Sequence, residues 1–314
     1  MPKVKASRKR KLGGPVGDLP SVPGAQTLLR WNLLRMAKLG DGASALQAVP
    51  AVLRPLVLMR SGAHIQAIER AQDAEDVIAL AAEALGAAEQ TWHVRLRQFG
   101  PPVVPLLAHA LRQSPVLHGE RRNHFVEHLV AGFYWFEDAG AAALLGCLDA
   151  LDDYGKSLSC VVLGLLRYKP AAGRLWDFLN HARAVYKDPE RLYVGPLWGL
   201  TDLDDARAAD AVASLVGAGK WFYELADFVA LAGDLRCVEP ILVALSLDPS
   251  REDRQDLMMA LASILQRSGT LPFAAKVKKA VGTAEVAAAE RFVKDLAELL
   301  VPQCDDYLRL IRES

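Results

Sequence analysis

The chain has no run of about 18 apolar residues, the length a helix needs to cross a bilayer, so no membrane span and no membrane partner are expected. Its basic start is not followed by an apolar stretch, which argues against a secretory signal. Cysteine is sparse. Cys147, Cys160, Cys237 and Cys304 stand far apart without C-x-x-C spacing, so the sequence offers neither a disulfide frame nor a zinc knuckle. Three of the four lie in apolar helical patterns, where a thiol packs as a small hydrophobe. Together these features point to a reducing, cytoplasmic compartment. Aromatic residues are only 7% of the 314, and no alternation of apolar and polar residues is long enough to argue for a sheet. No G-x-x-x-x-G-K-[ST] loop or other glycine-rich phosphate cradle occurs, and neither a cofactor nor a metal is expected.

What the chain does have is alanine and leucine. Hydrophobic residues make up 52%, dominated by helix formers, so the expected class is all-α. The helices come in pairs. In Phe228-Val-Ala-Leu-Ala-Gly-Asp-Leu-Arg-Cys-Val-Glu-Pro-Ile-Leu-Val-Ala-Leu245 an apolar helix end meets Gly233-Asp234, and the next helix opens with Pro240 near its first turn, where a missing N–H costs nothing. Second helices ending at Leu107, Leu145, Leu179, Leu215 and Leu245 give steps of 38, 34, 36 and 30 residues, in the range of solenoid repeats. First helices are legible in Phe125 to Phe136, Leu158 to Leu166, Leu192 to Leu200, Phe222 to Leu231 and Leu257 to Leu265.

With this rhythm the chain resembles the HEAT-repeat family and its HEAT-like variants. The pairs Asp234 with Arg236 and Asp205 with Arg207 match that family's turn acid and following basic residue, whereas the turns at Asp138 and Lys169 lack the pair. The resemblance implies an α-solenoid of stacked antiparallel helix pairs over 99–269, slightly more than half the chain. Such stacks bind other molecules along a groove and do not imply one chemistry. Residues 25–98 read as an N-terminal helical cap or degenerate repeat, and 270–314 as C-terminal capping helices. Asp73 is expected to cap a helix with a stripe of Val77, Leu80, Ala81, Ala84 and Leu85, and Thr283 to cap a late helix.

The N-terminal tail, residues 1–24, cannot bury enough apolar surface to fold alone. Lys3, Lys5, Arg8, Lys9, Arg10 and Lys11 make it strongly basic; residues 1–40 carry a net charge of +8, so the remainder carries −8. A basic arm can steer towards nucleic-acid phosphates, or it can lie on its own acidic body.

The sharpest motif is His124-Phe-Val-Glu127-His128, the H-x-x-E-H spacing of inverzincin metalloproteases. On a helix, His124, Glu127 and His128 fall on one side with Arg121 and Trp135, opposite Val126, Leu129, Val130 and Phe133. The trio should therefore face solvent or a groove. Inverzincins are α/β enzymes, and this chain offers no strands to hold the motif. Trp135 on the polar arc, with Tyr134, Trp176, Tyr186, Tyr193, Trp198, Trp221 and Tyr223 in the same third of the chain, suits an aromatic contact surface; Trp198 and Trp221 adjoin apolar runs and suit core filling between helix pairs better. The binding-surface candidates are Arg121, His124, Glu127, His128, Trp135 and Trp176.

The family resemblance also allows enzymatic alternatives. Deoxyhypusine hydroxylases need His-Glu dipeptides, and none of the seven histidines is followed by Glu. HEAT-like DNA glycosylases use Trp, Asp and Arg on a basic groove; Arg174, Trp176 and Asp177 supply the residue types without a motif, on an acidic body. The leading expectation is a non-catalytic scaffold that binds another protein. A nucleic-acid binder, with base-repair chemistry as its extreme form, is the rival, and a metal-dependent hydrolase at the His124 face stands third.

Overall fold

Some helices start where the sequence supplies a side-chain acceptor for the first free N–H groups. The Asp73 carboxylate accepts from the Asp76 N–H at 2.8 Å, Asp152 from Gly155 at 2.9 Å, and the Ser250 hydroxyl from Asp253 at 3.1 Å. The structure is a computed structural model that describes residues 24–39, 50–114, 119–185, 192–219, 221–247 and 249–313. Among them there are helices and no strand. No helix of this set is long and apolar enough to cross a membrane. The basic tail, including Lys3, Lys5, Arg8, Lys9, Arg10 and Lys11, lies outside the described residues, as does Tyr186.

The residues form two compact units, 24–205 and 206–312, and the division falls inside the segment read from sequence as one run of repeats. The first unit contains α1 (Ala25–Leu39), α2 (Arg54–Arg70), α3 (Ala74–Ala79), α4 (Ala87–Gln98), α5 (Val104–Gln113), α6 (Gly119–Gly132), α7 (Glu137–Leu145), α8 (Asp153–Leu165), α9 (Ala172–Val185) and α10 (Val194–Asp202). Here α6 packs on α8 and α8 on α10, while α5 packs on α7. The second unit contains α11 (Arg207–Gly217), α12 (Leu225–Ala232), α13 (Val238–Ser246), α14 (Arg251–Ser268), α15 (Thr270–Val281), α16 (Val286–Leu299) and α17 (Cys304–Glu313). In it α12 packs on α14, α11 on α13 and α13 on α15. The helices named from sequence are all present, although α5 and α9 run on to Gln113 and Val185, past the ends read at Leu107 and Leu179, and α9 packs on α8 and α10.

The helix α8 is the centre of the first unit. From Ser157 to Gly164 every residue is buried, as expected of a helix covered on all sides. Its approach to α10 is possible because both carry glycine at the crossing. A Cβ on Gly164 would stand 2.5 Å from the Gly199 Cα, and one on Gly195 would stand 2.0 Å from the Ser157 carbonyl oxygen. Both helices end alike. Arg167 (φ 52) and Asp204 (φ 53) take the left-handed conformation. The N–H after each donates back, Tyr168 to the Leu163 carbonyl at 3.1 Å and Asp205 to Leu200 at 2.9 Å. Their side chains pair across the two turns at 3.2 Å.

Three local expectations shift. The α-helix begun at Asp73 stops at Ala79 and tightens into a 3₁₀ turn over Leu80–Glu83, with about three residues per turn. The buried stripe becomes Val77, Ile78, Ala81, Ala82 and Ala84, while Leu85 is exposed. Thr283 makes no side-chain cap: α15 ends at Gly282 (φ 79), and Thr283 enters a 3₁₀ turn before α16. Finally, α1 does not extend the stack beyond α2. It lies against α8, α10 and α6, burying Leu29, Leu33 and Met36 and also the polar Gln26, Thr27 and Arg30.

Candidate functional site

A polar cluster forms where α4 and α6 meet, with α8 adding one residue. On α4, Trp92 is fully buried and its indole N–H donates to the Val77 carbonyl at 2.6 Å. This fixes the ring, whose edge meets His93 at 4.9 Å and His128 at 5.8 Å between centroids. The two imidazoles lie nearly parallel at 6.1 Å.

Hydrogen bonds assign their tautomers. The Trp135 indole N–H can only donate, and it meets His93 Nδ1 at 2.9 Å, so that nitrogen offers its lone pair and Nε2 carries the proton. His128 Nδ1 lies 2.6 Å from the His124 carbonyl oxygen and must donate, so that nitrogen carries a proton. Both Nε2 atoms are buried without a hydrogen-bond partner. Burial, followed by the nearby His128 and Arg97, holds His93 well below the ordinary histidine range. The imidazole is therefore neutral.

Carboxylates border the pair. Burial pushes the Glu89 carboxyl above its usual range; His128 and Arg35 pull part of that back, and Glu127 adds to the rise. Glu127 accepts a hydrogen bond from the Tyr154 hydroxyl on one oxygen, and its other oxygen lies 3.3 Å from His124 Nδ1. Burial, then the Glu127 charge, raises the Tyr154 phenol far above its ordinary value. Trp135 also carries Arg97 over its ring at 4.4 Å. Beside that stack opens a cleft of about 620 Å³ lined by Val94, Arg97, Gln98, Pro101, Trp135 and Glu137.

Five of the six residues singled out from sequence thus lie on α6 or the turn after it. Arg121 is exposed and pairs with Glu83. His124 and Glu127 are partly exposed and bound to each other. His128 is buried at 5% exposure, contrary to the expectation that the whole trio faces solvent or a groove. Its Nδ1 is committed to backbone and Glu127 to Tyr154, so the H-x-x-E-H side chains do not converge. Among the described residues no group of three His, Cys, Asp or Glu is arranged to hold a metal ion. Trp176 stands half-buried on α9, on another helix. Trp198 is core, with no exposed surface. Sequence reasoning missed Glu89, His93 and Tyr154; the only available signal was Glu89 and His93 one turn apart on the arc that carries Trp92 and Leu96.

A second polar constellation joins α1 to α10. The Arg30 guanidinium is 1% exposed and bonds Asp202 with two parallel contacts, Nε to Oδ2 at 3.0 Å and Nη2 to Oδ1 at 2.9 Å. It also lies 4.3 Å above the Trp198 ring, whose indole N–H donates to the Thr27 hydroxyl at 2.9 Å. Comparison with protein-family models, with curated proteins and with solved structures found no match to this chain.

Proposed function

We propose that this protein is a non-catalytic scaffold of stacked helix pairs, resembling HEAT repeats, that binds another protein along the face formed by its first helices. The observation that carries the reading is α1 itself: the face of α6, α8 and α10 accepts a helix and closes over buried polar side chains as well as leucines. A surface with that chemistry suits helical protein segments. The packing of α6 on α8, α8 on α10 and α5 on α7, and in the other unit of α12 on α14, α11 on α13 and α13 on α15, supports the solenoid reading, and the polar cluster around His128 lies on the same helix α6. The Arg236 bridge to both Asp234 at 2.6 Å and Asp210 at 2.8 Å is the kind of turn pairing the resemblance implies. We place the protein in the cytoplasm.

A photo-crosslinker at His124, on the α6 face, tests this in the native cell, with one at the exposed Leu299 as control. A defined polypeptide captured from position 124 and not from 299 supports the scaffold. The nucleic-acid reading is favoured by the six basic residues of the tail and by the Arg97–Trp135 stack beside the cleft. Fluorescence anisotropy with DNA and RNA across a salt series separates the two. Strong, salt-sensitive binding that survives replacement of the six tail residues by serine overturns the protein scaffold.

A further inference from the structure

We infer that Trp198 and Asp202 form an arginine-reading pocket for a helix of the protein partner, and that α1 occupies it in cis through Arg30. This rests on the scaffold reading and names the chemistry of what binds. The pocket has the parts that recognise guanidinium and not merely positive charge. The Asp202 carboxylate takes both edges of the fork at 2.9 and 3.0 Å, and the Trp198 face lies 4.3 Å from the guanidinium carbon. A lysine matches neither the fork nor the plane.

The cis helix shows the register a partner must copy. Thr27 takes the Trp198 indole N–H, Arg30 fills the pocket, and Leu33 and Met36 are buried, giving a T-x-x-R-x-x-L-x-x-M pattern that steps around half of the helix circumference. Such an interface is specific without being strongly stabilising. A buried ion pair repays little beyond its own desolvation, and a well-packed apolar pair in place of both Arg30 and Asp202 would hold α1 at least as well. An internal helix held by a recognition contact is one that a competing helix with the same contact can replace. The occupant is therefore an amphipathic, arginine-bearing helical segment of another protein, acidic pocket meeting basic side chain.

The test uses the full chain and a labelled peptide of residues 24–39, followed by fluorescence anisotropy. Arg30→Ala empties the pocket, so the peptide should bind that chain at least tenfold more tightly than the wild type. Changing the peptide's own arginine to lysine, or combining Arg30→Ala with Asp202→Asn in the chain, should lose at least tenfold. Failure of the peptide to bind a helical, cooperatively unfolding Arg30→Ala chain overturns the proposal, as does binding indifferent to the peptide's arginine. Should Arg30→Ala not fold, hydrogen exchange on the wild type decides: α1 amides must open well before those of α8 and α10, and equal protection overturns exchange of α1. Dimers that trade α1 between copies, detected by light scattering, make a second copy the occupant and overturn the partner assignment. The peptide result is independent of crosslinking at His124, so the pocket and the scaffold can fail separately.

Discussion

Gly164 on α8 and Gly199 on α10 meet backbone to backbone, with room for no side chain: a Cβ on Gly164 would stand 2.5 Å from the Gly199 Cα, and one on Gly199 would stand 2.5 Å from the Cys160 carbonyl oxygen. Neither obstacle is the end of a flexible side chain, so the helices themselves must separate. Gly164→Ala and Gly199→Ala are each expected to lower stability by about 1–3 kcal/mol or more, read as a reduced urea midpoint. Gly173 in α9 is the control. Nothing lies within 4 Å of its Cβ position, and Gly173→Ala should leave stability unchanged or raise it by up to about 1 kcal/mol through helix propensity.

Breaking the Arg30–Asp202 pair from one side leaves a charge buried. Arg30→Ala and Asp202→Ala should each cost about 3–5 kcal/mol, while Arg30→Leu combined with Asp202→Leu should come close to the wild type. Urea unfolding of the singles and the double measures this. Singles that change nothing would show that the pair is not buried in solution.

His93 makes stability depend on pH. Its folded affinity for protons is depressed by burial first, then by His128 and Arg97, while the unfolded imidazole titrates near 6.5. Below that pH the unfolded chain takes up a proton that the folded one refuses, so this contribution is complete above about 6.5 and is lost as pH falls. Glu89 acts in the opposite sense. Its raised folded affinity for protons favours the fold as pH drops towards the unfolded value of 4.5. His93→Asn retains an oxygen acceptor for the Trp135 indole and removes the titration. Between pH 7 and 5.5 the wild type should lose stability more steeply than His93→Asn.

The four cysteines should be silent in the native chain. All are buried, and burial pushes each thiol up, Cys237 to about 11. An aromatic disulfide reagent at pH 8 should titrate none of them promptly and all four once urea unfolds the chain. Rapid reaction of any one in native buffer would falsify its burial.

The division between what was legible and what was not follows the range of the forces. Helix pairs, their turns and the cap at Asp73 depend on neighbours within four residues, and local spacing carries that information. The α6 candidates were found because they share one helix. Their partners were not: Glu89 and His93 come from α4 and Tyr154 from α8. A helical wheel also assumes one buried side, whereas α6 packs against α5, α8 and the turn after α3. That is why His128 is buried on an arc that reads as polar.

The sequence by itself determined that this chain is helical, which stretches form its helices, and that it has no thiol pairing or phosphate loop to offer. The tertiary structure decided where α1 lies. Arg30 and Asp202 are 172 residues apart, and although helical spacing sets Arg30 nearer than Arg35 to Leu33, nothing local supplies an acceptor for a buried guanidinium. That acceptor is the Asp202 carboxylate, beside the Trp198 ring on α10. The surface that α1 covers is set by two glycines that let α8 and α10 close up.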